Sequence, residues 1–188
     1  MLRDEVKKAF DIVHQGGIIL YPTDTIWGIG CDALNTEAIQ KIFELKQRAQ
    51  EKSMIILVDT ENKLESYIRE VPAIAYDLIE FAENPLTLVM PGAKNISPLL
   101  IAEDGSVGVR VSKHPFCQQL IQRLRKPLVS TSANISGQPS PQNFMQISAD
   151  IIEGVDYVVD VDQYDLSIKK PSTIIRLAPS GMFEFIRK

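Results

Sequence analysis

The sequence predicts an α/β protein, a single domain built on a twisted mixed β-sheet flanked by helices. Short apolar runs of strand length alternate along the chain with segments whose apolar residues recur at helical spacing. The chain closes on a hairpin, Ser172 to Leu177 and Met182 to Ile186 joined by Ala178-Pro179-Ser180-Gly181, which adds an antiparallel pair. No linker marking a second domain interrupts the 188 residues, a length that suits one domain or two.

The elements follow in order. Leu2, Val6, Phe10 and Val13 share a helical face, and Gly16-Gly17 supplies the stop. Ile18 to Tyr21 reads as a short buried strand, ended by Pro22 because proline cannot donate to a sheet ladder. A helix from about Thr36 to Gln47 buries Ile39, Ile42, Phe43 and Leu45, with Lys46 at the margin of that face. Ser53 to Val58 is the next strand. Leu64 to Arg69 and Pro72 to Glu83 read as helices, and Pro85 to Met90 as a strand closed by Pro91-Gly92. Ser106 to Ser112 alternates like a strand, and Pro115 to Arg125 is a helix with Phe116, Leu120, Ile121 and Leu124 on one side. Leu128-Val129 opens a strand, a helix starts at Ser140-Pro141, and Tyr157 to Val161 is a strand. Asp160 to Lys170 is a surface loop near the site.

Three stretches carry chemistry. Pro127 to Ser140, PLVSTSANISGQPS, is a strand that breaks into hydroxyls, an amide and Gly137 before the expected helix start. Such a junction binds anions through backbone N–H groups, hydroxyls and the helix dipole, and it is equally a plain turn by composition. Pro22-Thr23-Asp24-Thr25 puts hydroxyls and a carboxylate at the carboxyl end of a strand, where open α/β sheets bind ligands. Lys46, Arg48 and Lys52 place three cations within seven residues between a helix end and a strand. They could grip a polyphosphate, or they are a solvated helix end favoured by its dipole, the plainer reading of the residues by themselves. At a helix end, Lys46 and Arg48 are expected to be replaceable with little harm to folding. Arg110 lies inside the apolar run of its strand and needs a partner, a carboxylate of the protein or of a ligand, because an unpaired buried charge is costly.

Other classes are excluded. Gly28-x-Gly30-x-x-Ala33 has the letters of a dinucleotide fingerprint, but it neither follows its strand directly nor opens a helix, and no Walker A loop is present. No apolar run approaches the ~18 residues that span a membrane. The N-terminus is amphipathic and carries acids, unlike a signal or transit peptide. A net charge of −4 argues against a protein that coats nucleic acid, though a local basic groove is compatible with it. Two cysteines and two histidines without ligand spacing give no metal site and predict reduced thiols in a cytoplasmic protein.

Together the segments YPTDTIWGIGCDA, ELKQR followed by a lysine, SVGVRV, STSANISGQPS and PSTIIRL occur in the order seen in YrdC-like proteins, the L-threonylcarbamoyladenylate synthases of the tRNA t6A pathway. The resemblance runs from about Gly17 to Arg187, and Lys46-x-Arg48 combined with Ser132-x-Asn134 is its most specific part. It implies a YrdC-like fold with a concave nucleotide groove, in the single-domain form without the C-terminal domain of longer members. It implies condensation of L-threonine, bicarbonate and ATP to threonylcarbamoyl-AMP and pyrophosphate. By the same resemblance, Lys46, Arg48, Ser132 and Asn134 are the catalytic set. Thr25, Arg110, Ser130 and Ser172 bind threonine. Arg48, Lys52, Ser106, Ser132, Ser140 and Arg187 bind ATP. Mg²⁺ accompanies ATP, held by phosphates and water. The resemblance also implies product transfer to t6A transferase proteins, contact with tRNA or double-stranded RNA as an open alternative, and a monomer or weak dimer. The sequence departs from the family at Ser53-Met54, where Pro-Leu is common, and at Leu57, where a threonine-touching histidine is common. It departs again at Ala49 for proline and at Arg176 for aspartate. The lack of a Ser-His-Asp or Cys-His set fits a reaction in which the substrate carbamate is itself the nucleophile. Two rival readings are an RNA-binding module without chemistry and, as in hydrogenase-maturation proteins, a carbamoyl-transfer module.

Overall fold

A computed structural model describes residues 1–47 and 54–188. Helix α1 (Leu2–His14) ends where Gly16 turns back at φ +84°, a conformation that side chains with a Cβ resist. Strand β1 (Ile19–Tyr21) follows, and then β2 (Gly28–Gly30), the strand the sequence did not announce. Glycine is required at Gly30, because a Cβ there would lie 2.0 Å from the carbonyl oxygen of Val129. The GxG letters are thus a close strand crossing and not a phosphate loop. Helix α2 (Thr36–Leu45) starts on Asn35, whose side chain accepts the Ala38 N–H at 3.0 Å.

The chain continues through β3 (Ile55–Val58), the short α3 (Leu64–Tyr67), α4 (Ile74–Glu80) and β4 (Leu86–Met90). Strand β5 (Val107–Val111), α5 (Pro115–Leu124), β6 (Leu128–Ser132) and α6 (Ala149–Gly154) come next. Three strands close it: β7 (Tyr157–Val158), β8 (Thr173–Leu177) and β9 (Phe183–Arg187). The described strands form one nine-stranded sheet in the order β7-β1-β2-β6-β3-β5-β4-β8-β9. It is mixed, as expected: β1–β7, β3–β5 and β4–β8 pair parallel and the other neighbours pair antiparallel.

Strand alternation sends neighbouring residues to opposite layers. Ile19, Tyr21, Leu57 and Leu128 pack under α1 and α5, and Leu20, Ile56, Val58 and Val129 join the larger cluster with α2 and the short helices. Register places Ser130 opposite Ile55, Arg110 opposite Leu57, and Ile174 opposite Thr87. The face that α1 and α5 cover therefore continues, beyond those helices, as a polar floor. Leu57 itself is fully buried beneath them, so the position where the family resemblance implies a histidine belongs to the core here.

One expected element is not there. No helix starts at Pro141; the chain runs on irregularly through a single 3-10 turn at Phe144–Gln146 before α6. Pro139 and Pro141 two residues apart suit an extended path. The helix dipole therefore contributes nothing to the loop that ends at Ser140.

Candidate active site

The polar floor lines a cleft of about 220 Å³ that draws on loops and strands far apart in sequence. Thr25 enters from the turn after β1, Arg110 from β5, and Ser130 and Ser132 from β6. Ser140 comes from the loop beyond β6, Ser172 from the start of β8, and Arg187 from the end of β9. All seven were singled out in the sequence. Thr131, one of the hydroxyls of the Pro127–Ser140 stretch, and Gly28 line it too, as do Trp27 and Thr87, which the sequence did not mark as site residues. Thr87 carried the signal that flagged Arg110, a polar residue inside an apolar strand run.

Arg110 is 4% exposed, yet its charge is only loosely met. Its Nη1 donates to Thr25 Oγ1 at 2.8 Å, and its Nε stands 3.6 Å from Asp24 Oδ1 with no hydrogen-bond acceptor among the described residues. Asp32 lies toward the start of β6, where it bridges Leu128, and is taken by Lys126 at 2.6 Å. Arg187 lies at the rim, donating from Nε and Nη2 to the Ser172 carbonyl at 3.0 and 2.8 Å. Burial and the neighbouring Arg110 charge both draw its pKa down. No Asp or Glu is among the described residues lining the cleft. Ser172 Oγ shares a 2.8 Å bond with Thr87 Oγ1, which fixes it against the floor.

The other candidates fall elsewhere. Lys46 is not at a solvated helix margin: it is 1% exposed. Its Nζ donates to the Ser132 carbonyl and, at 2.5 Å, to that of Asn134, while its own carbonyl accepts the Ser136 N–H at 2.8 Å. Helix α2 is tied through it to the turn after β6, and the expectation that it can be replaced without harm to folding does not hold. The physical reason is that the turn's carbonyls face inward and need a donor. Asn134 braces the same turn, its Nδ2 donating to Ile135 O and Gln138 O at 3.0 and 2.7 Å. Ser106 is not brought to the cleft; its Oγ donates to Asp104 at 2.6 Å. Arg176 pairs with the same Asp104 at 2.7 Å, which accounts for an arginine at that position. Arg48 and Lys52 lie outside the described residues, as do Ala49 and Ser53.

Cys31 and Cys117 are both buried, and burial pushes the thiols up, Cys117 to about 12, so neither serves as a nucleophile. The stretch from 160 to 170 packs beside the site: Asp162, Asp165 and Lys169 share a small cavity with Thr23 and Thr25. His114 Nδ1 accepts the Phe116 N–H, so its Nε2 carries the proton donated to Asp162 at 2.9 Å.

Among the described residues the cleft is floored by hydroxyls, with two guanidiniums and no carboxylate in its lining, a composition suited to small anionic ligands on an α/β sheet. Comparison with known proteins supplies the family. The family model Sua5/yciO/yrdC, described as "Telomere recombination", matches residues 11–188. The threonylcarbamoyl-AMP synthase of Pseudoalteromonas translucida is 36% identical over 158 residues, 82% of this chain and 84% of that protein. P. abyssi Sua5 solved with L-threonine is 29% identical with a TM-score of 0.81, covering 92% of this chain. This chain spans only 50% of that longer one. E. coli YciO superposes with a TM-score of 0.85 at 25% identity, over all of this chain and 90% of its own. The chain belongs to the Sua5/YciO/YrdC family.

Proposed function

We propose that the domain of residues 1–188 is an L-threonylcarbamoyladenylate synthase, a nucleotidyltransferase acting in tRNA t6A modification. One observation carries this reading: Arg110 and Arg187 share a hydroxyl-lined cleft with no carboxylate among its described lining residues, a place for two anions side by side. The threonine-bound relative and the synthases among the relatives support it.

The amine of threonine takes up bicarbonate and loses water to give the N-carboxylate. An oxygen of that carbamate then attacks the α-phosphorus of ATP. The Pα–O bond to pyrophosphate breaks, leaving threonylcarbamoyl-AMP. The protein positions the anions and stabilises developing charge, which needs no protein nucleophile. Arg110, with Thr25, Ser130 and Ser172, holds the threonine end. Arg187, Ser132 and Ser140 face the nucleotide, and Arg48 and Lys52 belong to the phosphates. Lys46 and Asn134 act by shaping the turn that presents Ser132. Ser106 has no part at the nucleotide in this arrangement.

Mg²⁺ enters with the ATP. The cleft lining offers it hydroxyls and cations, and no group of three His, Cys, Asp or Glu side chains converges among the described residues. The phosphates and water hold the ion, and no step above depends on a protein cage for it. No helix among the described residues is long and apolar enough to cross a membrane. We place the protein in the cytoplasm, passing its product to a transferase that acts on tRNA.

The test is incubation with ATP, bicarbonate and L-threonine, with pyrophosphate and the adenylate as readouts. Threonine-dependent pyrophosphate release is expected. RNA binding that falls steeply with salt, without ATP consumption, would instead favour a nucleic-acid module.

A further inference from the structure

The hydroxyl of Thr25 is constrained by a chain of bonds running behind it. Arg110 Nη1 can only donate, so at 2.8 Å Thr25 Oγ1 accepts. The carbonyl of Ile26 can only accept, so at 2.8 Å the single proton of Thr23 Oγ1 goes to it. Thr23 Oγ1 also accepts the Thr25 backbone N–H at 3.0 Å. The remaining contact, Thr23 Oγ1 to Thr25 Oγ1 at 3.0 Å, then has one solution: Thr25 gives its proton to Thr23. Thr23 has spent its donor and both lone pairs. Thr25 has spent its donor and one lone pair, and keeps one lone pair for the cleft it lines.

We infer that Thr23 is a positioning residue that makes Thr25 a pure acceptor toward the cleft, so that the site selects an amino acid whose side-chain hydroxyl can donate to it. This rests on the reading of the cleft as an amino-acid site and adds to it the polarity of one contact. A hydroxyl free to rotate would accept or donate and would discriminate weakly. A hydroxyl held in one direction leaves an unpaired lone pair against a ligand with a methylene at that point, which is how a polar site rejects an analogue lacking a hydroxyl. Thr23 is 2% exposed and does not line the cleft, so it acts through Thr25.

The experiment measures dissociation constants of L-threonine and L-2-aminobutyrate by calorimetry on the parent, Thr23→Val and Thr23→Ser, with pyrophosphate release measured separately. The parent is expected to bind threonine roughly tenfold or more tighter than 2-aminobutyrate, the range of one buried hydrogen bond. In Thr23→Val the ratio should collapse to within about threefold, and Thr23→Ser, which keeps the hydroxyl, should restore it. Thr23→Cys, a weak donor and acceptor, should fall between and stands in if the valine form does not fold. Parental discrimination in Thr23→Val or Thr23→Cys, or none in the parent, overturns the inference. Binding with the expected ratios but no pyrophosphate would sustain the inference while refuting the synthase reading. Absence of binding to either amino acid refutes both.

Discussion

Two corners of one sheet each set an arginine near a serine, and they differ in how the charge is met. At the outer corner Arg176 meets Asp104 at 2.7 Å, and the same carboxylate accepts the Ser106 Oγ and backbone N–H at 2.6 and 3.0 Å. The Ser106 bonds and the Arg176 charge hold Asp104 down at about 2. In the cleft, among the described residues, Arg110 has a hydroxyl at bonding distance, a carboxylate at 3.6 Å, and an Nε without an acceptor. The first corner is complete and exposed; the second is buried and unfinished. A buried cation short of acceptors is costly, so its survival points to a ligand that completes it. Residue type is the same in both places, and closure of the charge separates structure from site.

Lys46 tests the comparison hardest, because it is a buried cation that is closed, by carbonyls. Lys46→Ala should lower turnover by roughly 10²-fold, because the turn that presents Ser132 loses its brace and a small misplacement at a reacting centre can cost that much. It should also cost about 1–3 kcal/mol of stability, since the turn's carbonyls lose their donor. A normal melting temperature together with normal turnover would remove it as a strut.

Arg110→Lys comes next. It keeps the charge and loses the two-pronged geometry. The threonine KM should rise about 10- to 150-fold, the equivalent of about 1.5–3 kcal/mol, with the ATP KM unchanged. Stability should stay within about 1 kcal/mol of the parent. A lowered melting temperature with an unaltered threonine KM would mean that Asp24 is its true partner and would put the unfinished corner among the structural ones.

Ser172→Ala should have a smaller effect. It removes a neutral hydroxyl from the floor and leaves Thr87 short of a partner, so kcat/KM for threonine should fall about 2- to 10-fold. No change would make that pair a packing detail.

Arg176→Ala should do least. Turnover should be unchanged and the stability loss below about 1 kcal/mol, the range of exposed ion pairs. Because the Asp104 pKa is lowered in the folded protein, its contribution is present above the ordinary carboxylate range and lost as pH falls through about 2. The gap in melting temperature between variant and parent should therefore close toward pH 2. A large loss of activity in Arg176→Ala would break the comparison from the other side.

Local rules carried much of the fold into the sequence. The period of Leu2, Val6, Phe10 and Val13 and the Gly16 stop placed α1, and apolar runs bounded by Pro and Gly placed β1, β4 and β8, because these depend on neighbours a few residues away. The strand β2 was not legible, since Gly28 and Gly30 have little strand propensity, and Gly30 is there because Tyr21 and Val129 come close to it. The helix expected at Pro141 was a false start for a related reason: a Ser-Pro step permits a helix but cannot compel one. In the site, the motif letters picked out Thr25, Arg110, Ser130, Ser132, Ser140, Ser172 and Arg187, which the sheet brings to one cleft. They could not say that Lys46 points inward, that Ser106 turns to Asp104, that Thr87 holds Ser172 in the cleft, or that Thr23 stands behind Thr25. Those are questions of which partner a polar atom finds. The partners lie as far apart as Lys46 and Ser132, or Thr87 and Ser172, so only the packed sheet decides them.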